Sequence, residues 1–271
     1  MMFSAPLRLQ AQIFNIGVQT NLVYRWNFIL RVLVAFVPLL GSVFLWSAVF
    51  HGGRSFAGYT FESMVAYFIT LIIIDTTTGP NEDDFQIAED IREGRISALL
   101  LKPIDYRLYR FHLYASARIV HSTFALLPMA VAMIWLGHFF HGLPWLENLP
   151  LAFLALIGAG LIQFFFCFTL AMVAFWILDI GSVTFILYSI EYLLGGHVFP
   201  VDAFPRWLQT ICLHLPFAYQ YYFPAGILLG HVQGAELWQG FAWQWGWIGF
   251  FYVLSGVFWK RGLHQYTAVG G

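Results

Sequence analysis

Charge is what this 271-residue sequence has least of: 13 lysines and arginines and 14 acids together make up 10% of it. A water-soluble domain is about one quarter charged, so the scarcity excludes a chain solvated mainly by water. The net charge of -1 gives no reason to look for nucleic acid. Cysteine is nearly absent. Cys167 and Cys212 fit neither a disulfide framework nor a zinc site, and packing is the expected role of both. Lysine occurs only as Lys102, in Leu-Lys-Pro, and as Lys260, in Trp-Lys-Arg. A phosphate-binding loop needs glycines ahead of Lys-Ser or Lys-Thr, so that amides and the ammonium cradle the phosphates. Neither lysine has that setting, so if ATP is used, another chain binds it. No local Ser-His-Asp or Cys-His signature and no Gly-x-Ser-x-Gly pattern is present, and enzyme chemistry has no positive support.

What fills the chain is apolar: 60% of its residues are hydrophobic and 20% aromatic. Six apolar runs can be marked near 28–50, 61–79, 122–140, 151–178, 182–199 and 241–259. About 20 residues cross a bilayer as helix. Lipid offers the backbone no hydrogen bonds, which leaves helices or a closed barrel, and runs without strict alternation exclude the barrel. The expectation is an all-α polytopic membrane protein with six spans and one membrane domain over 1–271. The first 27 residues lack an apolar stretch after a basic start, so the first span is expected to act as its own membrane signal. Before it, Leu9, Ile13, Ile16 and Val23 fall near one face of a helix over 7–23. That pattern suits a helix lying in the interface, and an ordinary lead-in to the first span fits equally. Pro128 is placed to kink the third span.

The scarce charge is concentrated in one internal stretch, 81–111. It holds 7 of the 14 acids (Glu82, Asp83, Asp84, Glu89, Asp90, Glu93 and Asp105) and 5 of the 13 basic residues (Arg92, Arg95, Lys102, Arg107 and Arg110). Within it Phe85, Ala88 and Ile91 recur at i, i+3 and i+6, giving a short helix with an apolar edge and acidic flanks. Gly94 permits a turn, and a second amphipathic turn over 96–101 is stopped by Pro103. An exposed apolar edge in a charged rim suits docking into a partner groove; a solvated loop capping two spans is the alternative. With the amino terminus inside, inner loops, tails and span ends hold 11 of the basic residues, and the outer loops hold only Arg54 and Arg206. By the positive-inside rule both termini and the charged stretch face the cytoplasm. On the other side, the region 200–240 contains two short apolar segments bounded by Pro205, Pro216, Pro224 and Gly230. Each is too short to span, so they read as broken helices dipping back into the membrane.

Among single residues, Glu191 lies 9 residues beyond Ser182, about 14 Å along a helix at 1.5 Å per residue, and so near mid-membrane. Intramembrane carboxylates face a bundle interior or a water-filled path. An interhelical hydrogen bond competes with a transport role. Asp75 near an inner span end is similarly ambiguous. Asp179, ahead of Gly181 and Ser182, reads as a turn or N-cap residue. Gly195 and Gly196 end the fifth run close to the outer face, as a hinge or gate or as a plain helix end. Gly158, Ala159 and Gly160 permit close helix packing. His138 and His141, at i and i+3 without a supporting ligand, read as interfacial packing and not as a metal pair.

Three local patterns carry a resemblance. One is Asp90-Ile91-Arg92-Glu93-Gly94-Arg95-Ile96 running into Leu99-Leu100-Leu101-Lys102-Pro103. The second is Gly195-Gly196-His197-Val198-Phe199-Pro200, followed by Phe204-Pro205-Arg206-Trp207-Leu208 and Leu215-Pro216-Phe217. The third is Arg261-Gly262-Leu263-His264-Gln265-Tyr266 with a terminal Gly270-Gly271. Together they resemble the type-2 class of ABC exporter permeases, more narrowly a six-span bacterial branch encoded apart from its ATPase. The resemblance implies an interfacial amino-terminal helix, a cytoplasmic coupling helix between spans two and three, and extracellular reentrant helices before span six. It implies a bacterial inner-membrane protein and a pair of permeases, related or identical, on a dimer of ATPases. ATP and magnesium would then belong to the partner, and no cofactor to this chain. Coupling would fall to Glu89, Asp90, Ile91, Arg92, Gly94 and Arg95, and a pathway or gate to Glu191, Gly195 and Gly196. A membrane machine that assembles a surface structure would keep the same loop, and an integral-membrane enzyme is a more distant alternative.

Overall fold

The computed structural model describes residues 7–23, 25–51, 56–79, 83–102 and 104–266. Glu82, Pro103 and the terminal Gly270-Gly271 therefore lie outside the described residues. Within them the chain is all-α, with a single isolated bridge between Phe56 and Tyr59 and no strand. The helices are α1 (Leu7–Val23), α2 (Arg25–Val49), α3 (Phe61–Thr78), α4 (Asp83–Arg92), α5 (Ile96–Leu100) and α6 (Tyr106–Leu136). They continue with α7 (Trp145–Met172), α8 (Gly181–Leu194), α9 (Arg206–Leu213), α10 (Tyr222–Leu229) and α11 (Gly234–Gln265). A helix thus stands at each of the six expected spans, at the amino-terminal segment, in the charged stretch and in the reentrant region. The helical runs beginning at Phe61 and at Trp145 are long and apolar enough to cross a membrane. α6 becomes a third such span when its two parts, bent by 44°, are read together.

Several boundaries differ from the hydropathy reading, each for a local reason. The helix of the third expected span, α6, starts at Tyr106, 16 residues before the apolar run at 122, because the Asp105 side chain accepts a hydrogen bond from the Leu108 amide at 3.0 Å and caps it. Its bend falls between Ala125 and Leu127, one turn ahead of Pro128. Proline offers no amide to the carbonyl four residues back and crowds it. The helix of the fifth expected span, α8, ends at Leu194, not 199, since the Gly195 amide closes on the Glu191 carbonyl at 2.7 Å and Gly196 takes φ +106°. At 14 residues α8 is about 21 Å long, short of the roughly 30 Å apolar thickness of a bilayer. α11 extends the apolar run 241–259 to Gly234–Gln265.

The core is built on α3 and α7. Met64 through Leu71 are all buried, as are Gln163, Phe164 and every residue from Phe166 to Met172. α3 is fixed at its start by a capping box: the Ser63 amide donates to Thr60 Oγ1, and the Thr60 amide donates to Ser63 Oγ. α11 runs against α7, α10 fills the corner between α7 and α3, and α1 lies on α6. The contact of α1 is centred on Ile13 and Gly17, the latter closely approached by Ser116; Ile16 and Val23 are exposed. The expected amphipathic face is therefore rotated toward Ile13–Gly17, because the small Gly17 lets α6 approach. Outward-facing Leu30, Phe44, Ile134, Trp135, Phe153 and Val253 leave an apolar surface suited to lipid.

Candidate functional site

α4 is two-faced. Ile87, Ala88 and Ile91 are buried against α7 and the short 3-10 turn Val173–Phe175, and Ile96 of α5 joins the same cluster. Phe85, Gln86, Glu89 and Arg92 face outward. This corrects the expected docking edge. Of Phe85, Ala88 and Ile91, only Phe85 is exposed, because helical spacing sets Ile87 beside Ala88 and Ile91 and that broader stripe takes the inward side.

The turn after α4 is held by charge. Arg95 reaches Glu89 at 3.0 Å and Asp90 at 3.0 Å, and pairs with Glu93 as well. These acids hold the Arg95 guanidinium above its ordinary pKa, with the Asp90 hydrogen bond as the largest cause. Asp90 is also approached by Arg110 at 3.4 Å and accepts from the Tyr106 hydroxyl at 3.3 Å. Gly94 turns the chain at φ +74°, a region L-residues avoid. The turn packs beneath the end of α11, where Tyr266 and Ser97 hydroxyls meet at 2.8 Å. Arg92 donates to the Leu178 carbonyl at 2.8 Å. All six residues expected to carry coupling thus belong to one unit, with Ile91 as its anchor and Glu89, Arg92 and Arg95 on its surface.

The second expected group is assembled elsewhere. Glu191 stands in the last turn of α8, 2% exposed, with the polar groups of Tyr221 and Gln220 beside its carboxylate. The early helix end moves it from mid-helix to the α8 terminus. Gly195 and Gly196 are gripped there: Tyr67 donates to the Gly196 carbonyl at 2.8 Å, and the Tyr222 amide donates to that of Gly195 at 3.1 Å. A Cβ on Gly195 would stand 2.6 Å from the Glu191 carbonyl oxygen, and one on Gly196 2.5 Å from the Tyr67 hydroxyl. Asp179 accepts from the Gly181 amide at 2.8 Å, as a turn residue does. Asp75 lies 3.8 Å from His197. Gly158 is approached by Gln244, whose amide donates to the Ala155 and Tyr219 carbonyls, in keeping with small-residue packing. His138 bonds locally to the Trp135 carbonyl and contacts Phe139.

Sequence reasoning missed a buried polar chain. Asp84, on the inner side of α4, accepts from the Tyr188 hydroxyl of α8 at 3.1 Å. Tyr188 meets the Cys167 thiol of α7 at 3.1 Å. Cys167 is 3.1 Å from the Gln163 amide, and Gln163 Oε1 accepts from Gln220. Burial pushes the Asp84 carboxyl above the usual range, opposed by the Tyr188 and Phe85 hydrogen bonds. Cys167 is thus hydrogen-bonded and not simply packed; Cys212 is buried in the main core. The available signal was Gln163, a lone amide inside a long apolar run. A further cluster on the reentrant side joins Tyr59, stacked on His231 at 4.4 Å, to Asp202, which accepts from the Tyr59 hydroxyl at 2.9 Å and lies 3.7 Å from His231.

The bundle, its charged α4 unit and its reentrant helices are the setting in which the comparisons fall. No curated protein matches the sequence. A family model described as ABC-2 family transporter protein matches residues 36–270, which take in α3 to α11 and every residue of both groups above. The chain belongs to that family and is an integral-membrane permease component of an ABC transporter.

Proposed function

We propose that this permease forms the translocation path of an ATP-driven exporter and is moved by a separate ATPase that docks on α4 and the turn after it. The observation that carries the reading is the two-faced α4. Ile87, Ala88 and Ile91 root it in the bundle, and Glu89, Arg92, Glu93 and Arg95 present charge outward. An element bound firmly to the spans on one side and free on the other can transmit a push. The chain has no phosphate-binding loop of its own, so ATP and magnesium belong to the partner. In this reading 1–271 is one membrane domain in a bacterial inner membrane, with α4 and both termini in the cytoplasm and the 200–240 region outside. A second permease subunit, identical or related, completes the path, with Glu191, Gly195 and Gly196 as pathway or gate residues where α8 ends against Tyr67 of α3.

The test is affinity purification in mild detergent of wild type and of Glu89→Arg with Arg92→Glu, with every co-purifying chain identified. An ATPase held by wild type and lost by the double variant is the expected result. A folded wild type that retains no ATPase, under conditions that preserve a known ABC complex, sinks the reading. A second permease in the same sample separates a heterodimer from a homodimer.

A further inference from the structure

A push on α4 reaches α7 by packing, through Ile87, Ala88 and Ile91. α8 is joined differently. An open groove of about 690 Å³ is lined by Phe85 on one side and by Thr184, Phe185, Tyr188 and Tyr192 of α8 on the other. The hydrogen bond from Tyr188 to Asp84 spans from α8 to α4 beside that groove. Asp84 is 1% exposed, so it belongs to neither the outward charged face nor the partner contact proposed for it.

With Asp84 ionised, proton counting sets the direction of the chain behind it. A tyrosine hydroxyl has one proton, and Tyr188 gives it to the Asp84 carboxylate. The Cys167 thiol must then donate to the Tyr188 oxygen, which leaves its sulfur to accept from Gln163. Gln163 Oε1 accepts from Gln220. All four bonds point toward Asp84, so each polarises the next. Gln163 and Gln220 are both 1% exposed and Cys167 is buried, so bulk water has no access to the links among these three. Gln220 leads directly into Tyr221 and Tyr222, and the Tyr222 amide holds the Gly195 carbonyl at the far end of α8. α8 is therefore tied to α4 through Tyr188 and to the reentrant segment through Gly195.

We propose that Asp84 and Tyr188 are positioning residues that couple α4 to α8, with Cys167, Gln163 and Gln220 carrying the same displacement to the reentrant segment. The proposal rests on the reading that an ATPase docks on α4. It assigns the transmission to a buried hydrogen-bonded strut and not to the exposed ion pairs around Arg95.

The test uses the purified permease–ATPase complex with Leu193→Cys, an exposed position on α8, while the native Cys167 and Cys212 are buried. Maleimide labelling at 193 is timed with and without ATP plus vanadate, in four backgrounds: wild type, Tyr188→Phe, Asp84→Leu and Asp84→Asn. Asparagine keeps an oxygen that accepts from Tyr188, so it is the conservative rescue. Nucleotide is expected to change the labelling rate about fivefold or more in wild type and Asp84→Asn, and less than about twofold in the other two. The amount of bound ATPase stays equal in all four, which a docking defect would not allow. A full response in Tyr188→Phe and Asp84→Leu overturns the strut. So does a wild type whose position 193 does not respond, since α8 then has no displacement to receive. Absence of ATPase from every sample, wild type included, overturns the docking reading and the coupling role with it.

Discussion

Two polar regions of this protein, barely a helix width apart, are built on opposite terms. Around Arg95, four charged side chains pair at the surface, where water screens each pair and replaces it readily when broken. Around Tyr188, five mostly uncharged polar groups bond one another; four of them are buried while Tyr188 lines an open groove, and an orphaned buried group costs its full desolvation. The surface region can exchange partners without endangering the fold, which is what docking requires. The buried one cannot, which is what transmission requires. α4 carries one region on each face.

The strongest way to break this contrast is to put charge on the wrong face. Ile91→Asp buries a carboxylate in the cluster that roots α4 and is expected to cost about 3 kcal/mol or more, read as a collapse of thermal stability in detergent. Next comes Gly196→Ala. At φ +106° with Tyr67 in the way, a loss of about 1–3 kcal/mol is expected in the same melt, and an unchanged midpoint would contradict the tight grip on the α8 end. Cys167→Ala leaves Tyr188 and Gln163 each short of a partner, for about 1–3 kcal/mol. Cys167→Ser, which still donates and accepts, should recover most of it. Glu89→Arg with Arg92→Glu, which gives up the exposed Glu89–Arg95 pair and the Arg92–Leu178 bond, should lower the melting midpoint only slightly while removing the bound ATPase; a large midpoint shift would show that this face belongs to the fold after all.

The smallest effect is one of pH. Burial raises the Asp84 carboxyl above its unfolded value, so the native state binds more protons and the group's stabilising contribution is full below the unfolded pKa. It falls as pH rises through the folded one. As pH rises above the ordinary aspartate range near 4, wild type should therefore lose stability relative to Asp84→Asn, which has no proton to release. Parallel melting curves for the two across that rise would remove the carboxyl's burial from the account.

The apolar runs alone placed the helices of the bundle, since about 20 consecutive apolar residues have no other way to satisfy their backbone in lipid. The clustering of charge in 81–111 and the two glycines at 195–196 were equally visible, because both are local signals that composition and spacing register directly. The boundaries at Asp105 and Leu194 were less so: a single cap or glycine outweighs a hydropathy window there. Which face of α4 turns inward was beyond sequence. Ile87 joins Ala88 and Ile91 only because α7 offers a matching apolar surface, and periodicity over ten residues does not say which stripe a neighbour will cover. The polar strut was least legible of all. Asp84, Gln163, Cys167, Tyr188 and Gln220 are spread over 137 positions of the chain, and each alone reads as incidental. Composition determined that this protein lives in a membrane as a helical bundle. Only folding, by burying Asp84, Gln163, Cys167 and Gln220 around Tyr188, decided that these five distant polar groups bond to one another.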